Sequence, residues 1–158
     1  MELFKIQAKL FGEIEFASAT DDHYDDYDVT LGGKKMTITL TIDEGFVDSG
    51  NIKMIEGMLD HIPEMHKKAK LTILNDIGSN EVIRFYVECY FGVDSIDEID
   101  EANKKMIAEK LEPETIAIDY LSDEKIYCRF DFTLSDTDEI LVISFDTKYE
   151  ICHITHES

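Results

Sequence analysis

Tyr27-Asp-Val-Thr-Leu-Gly-Gly-Lys-Lys-Met-Thr-Ile-Thr-Leu-Thr-Ile42 sets two runs of alternating polarity around a pair of glycines. Two adjacent glycines supply the positive φ angles that a two-residue hairpin turn demands. With Gly32-Gly33 as the turn, Leu31 faces Lys34, Val29 faces Met36 and Tyr27 faces Ile38. These pairs share one face with Leu40 and Ile42, while Thr30, Thr37, Thr39 and Thr41 share the other. A slip of one residue would turn the apolar set to water, so the register is strongly specified.

Carried backwards, the same register sets Asp25 opposite Leu40 on the apolar face, where an ionised carboxylate is costly. The first strand is therefore expected to begin near Asp26, with the preceding acidic run outside the paired ladder. That run, Asp21-Asp22-His23-Tyr24-Asp25-Asp26-Tyr27-Asp28, is the most unusual stretch in the chain. It lacks the glycine and terminal glutamate of an EF-hand loop, so no metal is assigned to it.

Composition narrows the function. The 158 residues fit a single domain with a core large enough to need no metal or disulfide staple. The formal net charge is −20, from 35 acidic and 15 basic residues. Such a field opposes nucleic acid, where phosphate neutralisation supplies affinity, and anionic membrane surfaces. It steers a basic partner inward. The three cysteines, Cys89, Cys128 and Cys152, form no Cys-x-x-Cys pair. No signal-peptide core opens the sequence and no apolar run approaches a membrane span. The expected compartment is a reducing cytoplasm.

Outward from the hairpin, residues 3 to 16 predict one or two short strands. After Asp43-Glu-Gly45, apolar residues recur at steps of three and four from Ile52 to Ile73. Pro63 interrupts this pattern, which predicts two helices, about 51–61 and 63–76. Gly57 costs the first about 1 kcal/mol relative to Ala. Asn80 caps a third helix, Glu81 to Phe91, apolar nearly all round and so expected to be the central buried helix. Ser95-Ile-Asp-Glu98 has capping-box form and predicts a fourth helix reaching Leu111, stopped by Pro113. Alternation resumes in 116–120, 126–134, 141–145 and 149–154, read as antiparallel strands. The expected fold is α+β: a mainly antiparallel sheet, made of an N-terminal hairpin and a C-terminal meander. Three to four helices, inserted between residues 50 and 112, pack on one face.

The order of Phe11-Gly-Glu-Ile, Tyr24-Asp-Asp-Tyr-Asp-Val29, Gly33-Lys-Lys and Thr39-Leu-Thr-Ile, followed by Lys67-Lys-Ala69 and Phe145-Asp146, resembles a bacterial domain family of unknown function. The resemblance covers most of the chain through short motifs. It implies a small cytosolic bacterial protein and carries over no catalytic residues. Acidic families of similar size occur among toxin-immunity proteins, which makes a toxin domain one form of basic partner.

Chemistry-bearing motifs are sparse. No dinucleotide or phosphate-loop pattern occurs, and Gly32-Gly33-Lys34-Lys35 reads as a hairpin tip. Cys152, His153 and His156 fall on opposing faces of a strand, so they cannot readily share an ion. His66 lies on the apolar stripe of its helix and reads as a core-edge histidine with one partner. His61 is expected to be exposed at the helix break. A Cys89–histidine nucleophile is opposed by burial, which raises a thiol pKa.

These readings converge on an acidic, non-enzymatic interaction module of the bacterial cytoplasm with a basic protein partner. No cofactor, catalytic residue or metal is assigned. The binding residues expected are Asp21, Asp22, Asp25, Asp26 and Asp28, with Tyr24 and Tyr27 as aromatic anchors. Two rivals stand beside it: an enzyme with a pocket between sheet and helices, and a homo-oligomer formed through an uncovered sheet face or edge.

Overall fold

The computed structural model describes residues 3–10, 12–17, 23–42, 49–120, 125–133 and 138–157. Their order is β1 (Leu3–Ala8), β2 (Gly12–Ala17), β3 (His23–Leu31), β4 (Lys34–Ile42), α1 (Ser49–Asp60), α2 (Ile62–Asp76), α3 (Glu81–Phe91), a 3₁₀ turn (Ile96–Glu98), α4 (Glu101–Lys110), β5 (Glu112–Tyr120), β6 (Ile126–Thr133), β7 (Ile140–Phe145) and β8 (Ile151–Glu157). β1 and β2 form a separate hairpin. The other strands make one six-stranded sheet in the order β3-β4-β5-β6-β7-β8. It is antiparallel except where β4 meets β5 in parallel. The helices span that crossover, as an α+β chain with clustered helices requires.

The hairpin register is the expected one: Leu31 pairs Lys34, Val29 pairs Met36 and Tyr27 pairs Ile38. Gly32 and Gly33 hold φ values of 60° and 81°, as a tight turn compatible with strand twist demands. The expected start near Asp26 is corrected. β3 begins at His23, with Asp25 opposite Leu40 and His23 opposite Ile42. The expectation equated pairing with enclosure. β3 is the edge of its sheet, where a paired residue need not be enclosed.

Met36, Ile38, Leu40, Ile116, Ile118, Cys128, Phe130, Phe132, Leu141, Ile143 and Phe145 fill the face toward the helices. Pro63 lies in the first turn of α2, and Ile62, Met65, Ala69 and Ile73 of that helix are buried. The expected central helix is corrected too. α3 buries Ile83, Tyr86 and Val87, but Phe85 and Cys89 face solvent; an all-round apolar sequence covers only the side that meets the sheet. The Ser95–Glu98 capping box forms, yet it closes only a single 3₁₀ turn. Ile99 is extended and buried, and Asp100 then caps α4 afresh through the Asn103 amide. The fourth helix therefore starts five residues later than Ile96.

Among the described residues no helix is long and apolar enough to cross a membrane.

Two clasps fix the helices to the sheet. The first is Glu112 at the start of β5, which meets His66 Nε2 at 2.8 Å, Lys70 Nζ at 3.1 Å and Lys34 Nζ at 3.6 Å. Lys70 also donates to the carbonyls of Glu109 and Leu111 at the end of α4, satisfying groups that a helix terminus leaves open. The second clasp is Tyr149, in the turn between β7 and β8. Its ring stacks on His61 with centroids 3.9 Å apart, and its carbonyl accepts from Lys68 at 3.0 Å. His61 is thus half-buried rather than exposed, and its Nδ1 donates to the Gly57 carbonyl at 2.7 Å. Gly57 has a purpose that its helix propensity hides: a Cβ there would lie 2.7 Å from the Tyr149 hydroxyl.

Candidate functional site

Alternation along the strands gives the sheet a second face, opposite the helices. The helices engage the first face: His66 lies against Phe130, Tyr86 reaches the Phe132 carbonyl, and Phe85 meets His156. On the second face the registers line up two rows across all six strands. One row is Asp26, Thr39, Ala117, Arg129, Ser144, His153. The other is Asp28, Thr37, Thr115, Asp131, Val142, Thr155.

Both rows begin with an aspartate on edge strand β3. Thr39 donates to Asp26 at 2.7 Å and Thr37 to Asp28 at 3.3 Å, so neighbouring hydroxyls fix both carboxylates. The floor between is made of short side chains. Thr39, Ala117, Val142 and Ser144 are almost enclosed, at 8%, 7%, 2% and 8% exposure. At the centre, Arg129 and Asp131 pair along one strand: Nη2 donates to Oδ2 at 3.2 Å, and Nε lies 3.1 Å from Oδ1. That second contact misses hydrogen-bond geometry, leaving both atoms buried without a satisfied bond. Burial pushes the Asp131 carboxyl above the usual value, and the Arg129 charge only partly opposes the shift. Glu157 stands 3.8 Å from the Arg129 guanidinium, and Glu114 accepts from Thr133 at 3.1 Å.

The face thus carries Asp26, Asp28, Glu114, Asp131 and Glu157, of which Asp131 and Glu157 stand beside the Arg129 guanidinium. An open depression of about 700 Å³ continues it around the β3 edge, lined by Leu10, Asp28, Thr30, Lys35, Thr37 and Glu114 among others. Between sheet and helices, by contrast, Tyr86, Phe130, Phe132 and Phe145 fill the interior.

The expected binding residues divide. Asp26 and Asp28 stand on the open face. Tyr27 turns the other way and packs half-buried against the core, so it does not join them. Tyr24 and Asp25 are placed in β3, opposite Thr41 and Leu40, but their side chains lie outside those described. Asp21 and Asp22 lie outside the described residues. Arg129, Asp131 and Glu157 were not anticipated. Strand alternation already put Arg129 and Asp131 on one face, but only the strand order brings them into rows with Asp26 and Asp28.

Other candidates resolve into structure. His66 has the single carboxylate partner expected of a core-edge histidine. Cys89 is exposed rather than buried, yet its thiol is held above the usual value by desolvation and then by the charges of Glu139 and Glu88. Glu139 instead accepts from His156 Nε2. Burial pushes the Cys128 thiol far up. Among the described residues no three His, Cys, Asp or Glu side chains gather closely enough to hold a metal ion.

No protein-family model, curated protein or solved structure matches the chain. The resemblance to a bacterial family rests on its short motifs alone.

Proposed function

We propose that the chain is a non-enzymatic interaction module of the bacterial cytoplasm whose open sheet face docks a basic protein partner. The observation that carries this reading is the pair of six-residue rows. Each runs from a threonine-tethered aspartate on the edge to the partly buried Arg129–Asp131 pair at the centre. The low floor of Thr39, Ala117 and Ser144 leaves height above it for long lysine and arginine side chains. A cation brought to the face meets the Asp26 and Asp28 carboxylates already oriented by Thr39 and Thr37. The whole-chain charge of −20 adds long-range attraction to the same partner. Three free thiols accord with a reducing compartment. Between the helices and the sheet the described residues Tyr86, Phe130, Phe132 and Phe145 pack the interior, so the open face is where the reading looks for a partner.

The test is affinity capture from the native host with two variants of equal charge. Asp26→Asn/Asp28→Asn is expected to lose the partner. Asp97→Asn/Glu101→Gln, which changes solvent-facing residues at the 3₁₀ turn and α4, is expected to keep it. A partner held equally well by both variants would sink the reading.

A further inference from the structure

β1 and β2 form a sheet of their own, and among the described residues neither pairs with a strand of the larger sheet. A lone two-stranded hairpin is marginal in water, so this one depends on what it docks against. That support is α1. On β1 the side chains of Ile6 and Ala8 are buried, while those of Lys5, Gln7 and Lys9 are exposed. Helix side chains lie along β1 where a third strand would otherwise pair. The Gln7 amide donates to Glu56 at 3.0 Å and the Lys9 amide to Asp60 at 3.2 Å. Glu56 and Asp60 are one helical turn apart, so two alternate amides of the strand meet one stripe of α1. An open depression of about 630 Å³, lined by Gln7, Lys9, Glu13, Glu56 and Asp60 among others, brings water to both bonds.

We propose that the β1–β2 hairpin is a flap, latched to α1 through Glu56 and Asp60, that opens as a unit while the six-stranded sheet stays folded. Its attachments differ in kind from those of the larger sheet, where every strand is held by a backbone ladder to a neighbour. The ladder of β1 and β2 is internal to the hairpin and ties it to nothing else. The ion pairs of Lys5 with Glu13 and Glu15 are internal to it as well. Among the described groups, opening gives up the burial of Ile6 and Ala8 and two exposed bonds whose partners water replaces. Segments held by few buried apolar contacts and by solvent-exposed hydrogen bonds open well below the free energy of global unfolding. The flap also borders the acidic face. Leu10, just after β1, walls the depression that it shares with Asp28, Thr30 and Glu114. Opening withdraws Leu10 from that wall. On the docking reading above, on which this consequence rests, the flap sets how much of the β3 edge a partner meets.

Native-state hydrogen exchange of the full chain, followed by NMR at low urea concentrations, tests this without any partner. The β1 and β2 amides are expected to exchange through an opening at least tenfold more frequent than that of β6 and β7, and with a weaker dependence on urea. Glu56→Gln/Asp60→Asn is expected to speed exchange of the hairpin amides tenfold or more and to leave β6 and β7 unchanged. Asp97→Asn/Glu101→Gln, which removes the same charge at the 3₁₀ turn and α4, is expected to leave both unchanged. If the latch variant fails to fold, the wild-type urea dependence decides alone. Hairpin amides that exchange only through the global unfolding of β6 and β7, or that ignore the loss of both carboxylates, overturn the proposal. No partner enters the measurement, so its failure strikes the flap and leaves the docking reading standing.

Discussion

The two edges of the six-stranded sheet are built from opposite materials. β3 carries Asp25, Asp26 and Asp28 within His23–Leu31, while β8 carries a lone carboxylate, at its last position. Both leave backbone groups open to a visiting strand, so the difference lies in what each edge repels. The aspartates of β3 oppose an acidic neighbour and favour a cation. β8 carries no acidic or basic residue other than its histidines before Glu157. The −20 total is therefore less informative than its distribution: carboxylates crowd one rim and are nearly absent from the other. Each edge also has its own anchor. Glu112 braces the hairpin that ends in β3 through Lys34, and Tyr149 seats the turn that leads into β8.

The comparison breaks most completely if the acidic edge is reversed. Asp26→Lys/Asp28→Lys removes two carboxylates and inserts two cations where a basic partner would dock. Close charge pairs couple by roughly 1.5 kcal/mol or more, so binding is expected to weaken on the order of 100-fold or beyond. Titration calorimetry of the captured partner measures this, and an unchanged affinity would clear the open face of any role. The wild-type interaction should also strengthen as pH rises through the titration of Asp131. Burial raises that carboxyl in the free protein, so the gain is expected to extend above the ordinary carboxylate range.

The neutral edge loosens through its anchor. Gly57→Ala should gain about 1 kcal/mol of helix propensity. It also drives a methyl to 2.7 Å from the Tyr149 hydroxyl, whose ring the His61 stack holds in place. Overpacking of this kind costs about 1–3 kcal/mol, so a net loss of about 1 kcal/mol is expected in urea unfolding. Tyr149→Phe removes the offending oxygen and leaves the next ring atom 3.9 Å away. The double variant should then recover the loss, which a double-mutant cycle reads directly. Additive effects would mean that Gly57 is not there for Tyr149.

Local signals made most of the fold legible and long-range ones did not. Gly32-Gly33 fixed a register that the strands obey residue by residue, and Pro63 divided α1 from α2, because both act through their own dihedrals. The start of β3 was misplaced because edge or interior position depends on strand order, which no window of sequence contains. α3 was read as buried because its composition is apolar all round, although only one side has a sheet to meet. The Ser95 capping box was genuine and still misleading: it satisfies its own ends whatever follows, and Asp100 supplies a second start. The site followed the same rule. Asp26 and Asp28 were visible as a charge run, whereas their alignment with Arg129 and Asp131 spans about a hundred residues of chain and arises only from pairing.

The smallest effect concerns the anchor of the acidic edge, and its sign is fixed by linkage. Partial burial alone would raise the Glu112 carboxyl, but hydrogen bonds from His66 and Lys70, with the Lys70 charge, outweigh it and hold the group below its usual value. A carboxyl depressed in the folded state stabilises above the unfolded value of about 4.3 and loses that contribution as pH falls through the folded value. Glu112→Gln keeps the shape and removes the charge. It is expected to cost about 1 kcal/mol near neutral pH, where His66 and Lys70 lose an ionised acceptor. The gap between wild type and variant should close on acidification below that range, because the wild-type carboxyl is then neutral as well. Urea unfolding at neutral and acid pH measures both halves. A gap that persists at low pH would assign the stabilisation to packing around Glu112 rather than to its charge.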